Sequence, residues 1–397
     1  MELIEARIPS LNFRFAVVSD LHIALPHTIW DHPSRFHLVE VSIPALEIVL
    51  GHLEQLELDF LLLPGDLTQD GEPDNHAWLQ ERLTQLPFPV YVVPGNHDIK
   101  SALADGRAIS TKDFPHYYRN VGYDNLEQLY YTCEVLPGVR LIGLNSNQFD
   151  DQGQQVGRLD DTQLRWLREV LSQAKDEMVL VMVHHNVVEH LPNQARHQLA
   201  SRYILENAQE LLQLLREFGV ELVFTGHLHV QDIAYCEGVY DITTGSLVSY
   251  PHPYRVLQFH RDNQGRNWLQ IESHRVESVA NLPTLQQVSR QWMGDRTLPL
   301  ILKFLTQPPL NLPRKEAEAL APTLRDFWAD IAAGDALFDF PHFPLLARRY
   351  FEGFGAIAPC GTPTLIDNNT TLLLQGMKKD HRNKTLPSIP ANPDTAN

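Results

Sequence analysis

The sequence predicts an α/β fold over residues 1–275, on three observations. Short runs of consecutive Val, Leu, Ile and Phe alternate with longer amphipathic stretches, the signature of strands covered by helices. The runs carry apolar side chains on adjacent positions, as strands buried on both faces do. Each run then ends abruptly in a cluster of Asp, Asn or His.

The five runs are 13–19, 59–63, 89–93, 178–183 and 221–225. Between them, residues 36–55, 74–86, 160–174 and 199–218 have helical periodicity. Asp160 and Asp161 are candidate N-caps for the third stretch, and Gly219 is a suitable terminator for the fourth. Beyond Asn281 the pattern changes to helices over 284–307, 314–333 and 344–354, with proline-rich joints at Pro308-Pro309 and at 341–344. This divides the chain into a main domain (1–275), a helical C-terminal module (276–375) and a polar, proline-containing tail (376–397) expected to be disordered.

Bulk properties narrow the function. With 397 residues, 43% of them apolar, the chain has the composition of a globular protein and shows no internal repeat. A formal net charge of -17 weighs against nucleic acid as the main partner, because phosphate backbones recruit Lys and Arg. No run approaches the roughly 18 apolar residues of a membrane span. The first twenty residues lack the basic and apolar segments of a leader peptide. Cys133, Cys236 and Cys360 are widely spaced and odd in number, so they read as buried thiols of a reducing compartment. The expected location is cytoplasmic.

The chemistry sits where the strands end. The first run leads into Ser19-Asp20-Leu21-His22, the second into Pro64-Gly65-Asp66 and the third into Pro94-Gly95-Asn96-His97-Asp98. The fourth leads into His184-His185 and the fifth into Thr225-Gly226-His227-Leu228-His229. Ligands of open α/β sheets bind just beyond carboxyl ends of strands. Gly65, Gly95 and Gly226 are placed to let the backbone turn there. A D-x-H triplet is expected about once by chance in such a chain. A second one, Asp74-Asn75-His76, opens a helical stretch and follows no strand, so it is set aside. The tetrapeptide Gly95-Asn96-His97-Asp98 has a chance expectation on the order of a few in a thousand, and the whole ordered set is far rarer.

In order and context these motifs resemble the calcineurin-like metallophosphoesterases, and within them the class III cyclic-nucleotide phosphodiesterases. The second likeness rests on Gly65-Asp66-Leu67-Thr68-Gln69-Asp70, on Gly157-Arg158-Leu159 with Gln163-Leu164-Arg165-Trp166-Leu167, and on Asn207-Ala208-Gln209-Glu210-Leu211. It covers about residues 12–275. The resemblance implies a four-layer α-β-β-α sandwich of two mixed sheets, with the C-terminal helical module outside it. It also implies two divalent metal ions, one on Asp20, His22, Asp66 and His229 and the other on Asp66, Asn96, His184 and His227, with Asp66 bridging. His97 would stand near the leaving oxygen as proton donor or charge stabiliser, with Asp98 orienting it.

The donor set independently suits Mn, Fe or Zn, since it is all oxygen and imidazole with no thiolate. Two divalent ions and two carboxylates leave an excess of positive charge for an anionic phosphoryl group. The expected substrate is a small phosphodiester, a cyclic nucleotide first. A phosphomonoesterase, a nuclease and a non-catalytic metal-binding scaffold are the alternatives. A Ser/Thr phosphatase fits less well, because the continuation Leu67-Thr68-Gln69-Asp70-Gly71 lacks that group's arginine.

Several residues admit two readings. His27, His32 and His37 either line a substrate pocket or are ordinary loop residues. His185 either meets substrate or supports the site, and His252 between two prolines reads as a turn residue. Where many relatives have Asp, this chain has Asn145. The apolar run Leu298-Pro299-Leu300-Ile301-Leu302 with Phe304-Leu305 is core, a lid or a homo-oligomer contact.

Overall fold

A computed structural model describes residues 11–30, 35–103, 106–197, 200–357 and 362–375. The tail 376–397, His32 and Cys360 lie outside the described residues. Three parallel neighbours open the first sheet: β1 (Asn12–Val17), β2 (Phe60–Leu63) and β3 (Val90–Val92). Helix α1 (Ser42–Leu53) connects the first pair and α2 (Pro73–Leu83) the second.

After the short α3 (Phe114–Tyr117) the chain enters a second sheet through β4 (Tyr131–Leu136) and β5 (Val139–Gly143). A small hairpin follows, β6 (Asn147–Phe149) with β7 (Gln155–Gly157), and then α4 (Asp161–Gln173). The second sheet continues with β8 (Met178–Met182), α5 (Ala208–Glu217), β9 (Leu222–Thr225), β10 (Asp232–Cys236) and β11 (Val239–Thr243). Its strand order is β10-β11-β9-β8-β5-β4. The chain returns to the first sheet with β12 (Pro253–Arg261), antiparallel to β1, and β13 (Asn267–Arg275) beside it.

Alternation along the strands builds the layers. In β8 and β9, Leu180, Met182, Leu222 and Phe224 face the core shared with the first sheet, where Phe15 meets Phe224 edge-on at 5.5 Å. The intervening Val181 and Val223 pack outward against Leu167 and Leu171 of α4 and Leu211 and Leu215 of α5. On the first sheet, Leu46 and Leu50 of α1 and Leu79 and Leu83 of α2 join the central cluster. Helices therefore cover two mixed sheets, giving the α-β-β-α arrangement. Asp160 caps α4, accepting the Gln163 N–H at 2.8 Å.

Three expected helices are shorter than their periodicity suggests. The first begins at Ser42, because Leu38 donates its N–H to Val248 and Pro44 is tolerated only in a first turn. The fourth begins at Ala208, because Tyr203 and Leu205 pair through their backbones with Asn186. Tertiary hydrogen bonds thus override propensity at both places. The stretch 314–333 splits into α7 (Arg314–Leu320), a 3-10 turn over Ala321–Leu324 holding Pro322, and α8 (Phe327–Ala333).

The long helix preceding these, α6 (Leu285–Thr306), continues through Pro299. With α8 and the helix Leu345–Glu352 it forms a further apolar cluster that also buries Leu228 and Val230. Burying each such side chain contributes about 1.5–3 kcal/mol, so the C-terminal helices brace the turn carrying His227 and His229. The same C-terminal stretch supplies a strand, Asn369–Leu374, antiparallel to β13 at the edge of the first sheet. No helix among the described residues is long and apolar enough to cross a membrane.

Candidate metal centre

The polar strand ends of both sheets meet. Continuations of β1 and β2 run side by side, with Asp20 N–H donating to Gly65 at 3.2 Å and His22 N–H to Asp66 at 2.9 Å. From the second sheet, Gly226 N–H donates to His184 at 3.1 Å. Across the junction, His227 N–H lies 3.1 Å from both carboxylate oxygens of Asp20.

These turns are costly. Asp20, His22, Asp66, His227 and His229 have φ of 52°, 43°, 50°, 67° and 59°. Non-glycine residues held in the left-handed region cost on the order of 1–3 kcal/mol each, and such strain gathers at functional sites. Of the three motif glycines only Gly65, at φ 96°, needs glycine's conformational freedom. Gly226 is required by close approach instead, since a Cβ there would overlap Ser19 Oγ and Asp20 Oδ2.

Two groups of ligand atoms result. Asp20, His22, Asp66 and His229 form one, and Asp66, His184 and His227 the other, with all atoms of each group within 4.8 Å of one another. Asp66 belongs to both. Asn96 Oδ1 joins the second group, 3.1 Å from His184 Nε2.

Hydrogen bonds behind the rings decide which nitrogens face inward. His184 Nδ1 lies 2.8 Å from the Pro64 carbonyl and His227 Nε2 lies 3.2 Å from the Arg202 carbonyl. Each can donate there, which turns His184 Nε2 and His227 Nδ1 towards each other as lone pairs at 3.1 Å. Asp66 Oδ2 is a further 3.3 Å from the same His184 nitrogen. One proton on His184 could satisfy only one of these acceptors, so the cluster collects more lone pairs than protons. A divalent cation fits that donor set of carboxylate, amide oxygen and imidazole.

Titration reflects the same imbalance. Burial works against charge on His184, but Asp66, Asp20 and the Pro64 carbonyl outweigh it and hold the imidazole up at about 9. Burial alone would raise Asp66; His184, His97 and His22 reverse this and keep its carboxyl well below the usual range.

His97 sits beside both groups, its ring 4.7 Å from His22. Its backbone N–H donates to Asp66 Oδ1 at 2.8 Å, and its Nδ1 lies 2.7 Å from the Gln69 carbonyl. That carbonyl orients the ring, rather than Asp98 as expected. Asp98 accepts from the N–H groups of Leu67, Thr68 and Gly95 at 2.8–3.1 Å and thereby clamps two motif turns together.

The calcineurin-like phosphoesterase profile matches residues 13–231, more than half of the chain. The chain belongs to the calcineurin-like phosphoesterase family. Among curated members it is 31% identical over 188 residues to a 3',5'-cyclic-nucleotide phosphodiesterase of Nostoc sp., covering 46% of this chain and 60% of that relative. A 3',5'-cyclic adenosine monophosphate phosphodiesterase of Haemophilus influenzae is 24% identical over 66% of this chain and 88% of its own length. A glycerophosphodiester phosphodiesterase of Enterobacter lignolyticus is 28% identical over 52% and 69% respectively.

The other histidines weighed from the sequence have separate surroundings. His185 lies behind His227, its ring 4.3 Å away and its Nδ1 2.7 Å from Ser146 Oγ. His27 is exposed and pairs with Asp74 at 3.0 Å. His76 of the rejected triplet is buried against Tyr118, at 2.7 Å from its hydroxyl. His252 is buried in a turn, its Nδ1 2.8 Å from the Leu247 carbonyl. Asn145 is buried, its N–H donating to Gln163 Oε1 at 2.8 Å. Cys133 and Cys236 are free and half-buried. Of the two described loop histidines, His27 and His37, it is His37 that joins the rings of the first ligand group, 4.1 Å from His22 and 4.8 Å from His229.

Sequence reasoning missed the support beneath the candidate metal centre. Asp241, fully buried in β11, accepts from Val187 N–H at 2.6 Å, Val188 N–H at 3.0 Å and Thr225 Oγ1 at 2.6 Å. It thus fixes the turns after both β8 and β9. A charge inside the apolar run Val239-Tyr240-Asp241-Ile242 was the available signal, since buried charges demand partners.

His190 completes that network, with Nδ1 2.5 Å from Asp232 and Nε2 3.3 Å from Asp241. Burial opposes its charge, yet Asp241 and Asp232 prevail and raise its pKa to about 10. A raised histidine pKa contributes stability fully present below the unfolded value near 6.5 and lost as pH rises towards 10. Between those limits the folded state holds one more proton, a slope of about -1.4 kcal/mol per pH unit. Urea unfolding at pH 7 and pH 9 should show this decline in wild type and a flatter profile in His190→Gln. Equal slopes in both proteins would remove His190 as its source.

Proposed function

We propose that this chain is a dinuclear metal-dependent phosphodiesterase acting on a cyclic nucleotide or a related small phosphodiester. The observation that carries it is the sharing of Asp66 between two buried ligand groups, with His97 tethered to the same carboxylate. One ion would rest on Asp20, His22, Asp66 and His229, the other on Asp66, Asn96, His184 and His227. Mn, Fe and Zn suit these donors. Such a pair supplies the nucleophile and neutralises charge on the phosphoryl group.

The chain's own residues do the rest. Asp66 would contribute to both ion sites, and Asp20 also holds the His227 amide in place. With Nδ1–H directed at the Gln69 carbonyl, His97 presents Nε2 to the site, and in the imidazolium form that nitrogen gives its proton to the departing oxygen and is left as a lone pair. Asp98 and Asp241 act at one remove, by holding the motif turns.

The phosphodiester preference is supported by the names of the relatives and by a charge count. Two divalent ions less the charges of Asp20 and Asp66 leave a modest excess, which a singly charged diester matches better than a monoester dianion. A net charge of -17 argues against a long nucleic acid as substrate. Mn²⁺-loaded protein should therefore give a higher kcat/KM for at least one cyclic nucleotide or simple phosphodiester than for matched phosphomonoesters. Asp66→Ala serves as the blank for contaminating activity. Preference for monoesters across the panel would refute the diester assignment.

A further inference from the structure

We propose that His37 is an additional ligand of the ion held by Asp20, His22, Asp66 and His229, so that three imidazoles flank that ion. The inference rests on the two-ion reading and extends it to a residue outside the strand-end motifs. Ligand nitrogens of His22, His37 and His229 all lie within 4.8 Å of one another, and two of those residues already belong to the first group. Nitrogens at about 2.1 Å on opposite sides of one ion are ~4.2 Å apart, so only small side-chain movements bring the third ring into range.

The loop is built to hold that ring still. Leu38 N–H donates to Val248 at 2.8 Å, and the Arg35 carbonyl accepts from Arg296 Nε of α6 at 2.8 Å. Leu38 and Val39 are buried. Two residues before Val248, Ser246 Oγ donates to the Asp20 carbonyl at 2.9 Å, so one segment supports both Asp20 and the His37 loop. The His37 ring lies against His22, His97 and His229. The exposed loop histidine His27 pairs with the Asp74 carboxylate instead. A third imidazole strengthens binding of Fe, Co and Zn over Mn and Mg, whose preference is for oxygen donors.

Full-length wild type, His37→Ala and His37→Gln should be loaded with Zn²⁺, Mn²⁺ or Co²⁺ and titrated with a chromophoric chelator. Both variants are expected to release one ion about 10- to 100-fold more readily while keeping the other. The loss should be larger for Zn²⁺ than for Mn²⁺, and the visible spectrum of the Co²⁺ form should change. Added imidazole should restore retention in His37→Ala. Unchanged ion retention and Co²⁺ spectrum, with only KM raised, would make His37 a substrate contact and overturn the assignment. The two-ion reading fails separately, if wild type itself binds fewer than two ions; retention of the remaining ion in the variants still tests His37.

Discussion

Asp66→Ala is expected to lose or severely weaken both metal ions and to lower phosphoesterase activity by ~10³-fold or more. Asp66 is the one residue whose carboxylate belongs to both ligand groups. In the proposed two-ion site its removal would take an anion from between two cations, and the mutual repulsion that it screened would then act on both. The effect extends to the imidazoles. His184 is held up at about 9 largely by Asp66, so the variant's second group loses its pull on a proton as well as on a metal. Elemental analysis of purified protein is the direct measurement, with Asp66→Asn as an isosteric companion. Two tightly held ions per chain in Asp66→Ala would sink the bridging assignment.

The second large effect separates chemistry from binding. His97→Ala should lower kcat by roughly 10²–10⁴ while metal content stays near that of wild type. The reason is local: the backbone N–H of residue 97, not its ring, holds Asp66, and that contact survives truncation of the side chain. The ring's own partner is the Gln69 carbonyl, which is no part of either ligand group. If the ring gives its proton to the departing oxygen, the loss should be small for an activated aryl leaving group and large for an alkoxide. A uniform loss across leaving groups would argue for charge stabilisation alone. Loss of metal in the variant would make His97 a ligand.

Much of this was legible in the chain before any coordinates. Five runs of consecutive apolar residues, each followed by Asp, Asn or His, satisfy burial as strands covered on both faces, and their polar ends then gather at strand termini. Asp20, His22, Asp66, His184, His227 and His229 could be picked out because a carboxylate or imidazole at that position has no packing role. Helix boundaries were less legible. Periodicity in 199–218 is helical throughout, yet residues 203–205 are claimed by Asn186, and no local signal announces a hydrogen-bond partner from another segment.

The sequence by itself determined the strands, the turn-forming glycines and the types of donor atom, because these depend on burial period and side-chain chemistry. Tertiary structure decided how the donors are shared. It assigned β1, β2 and β3 to one sheet and β8 and β9 to another, so the site is assembled across a junction between sheets. It gave the imidazole orientations to carbonyls of Pro64, Gln69 and Arg202, none of which differs from any other backbone group in the sequence. It also brought His37 against His22 while leaving His27 with Asp74 at the surface, although both follow the same motif. Proximity of residues far apart along the chain depends on the packing of whole layers, and that information resides in no local stretch of residues.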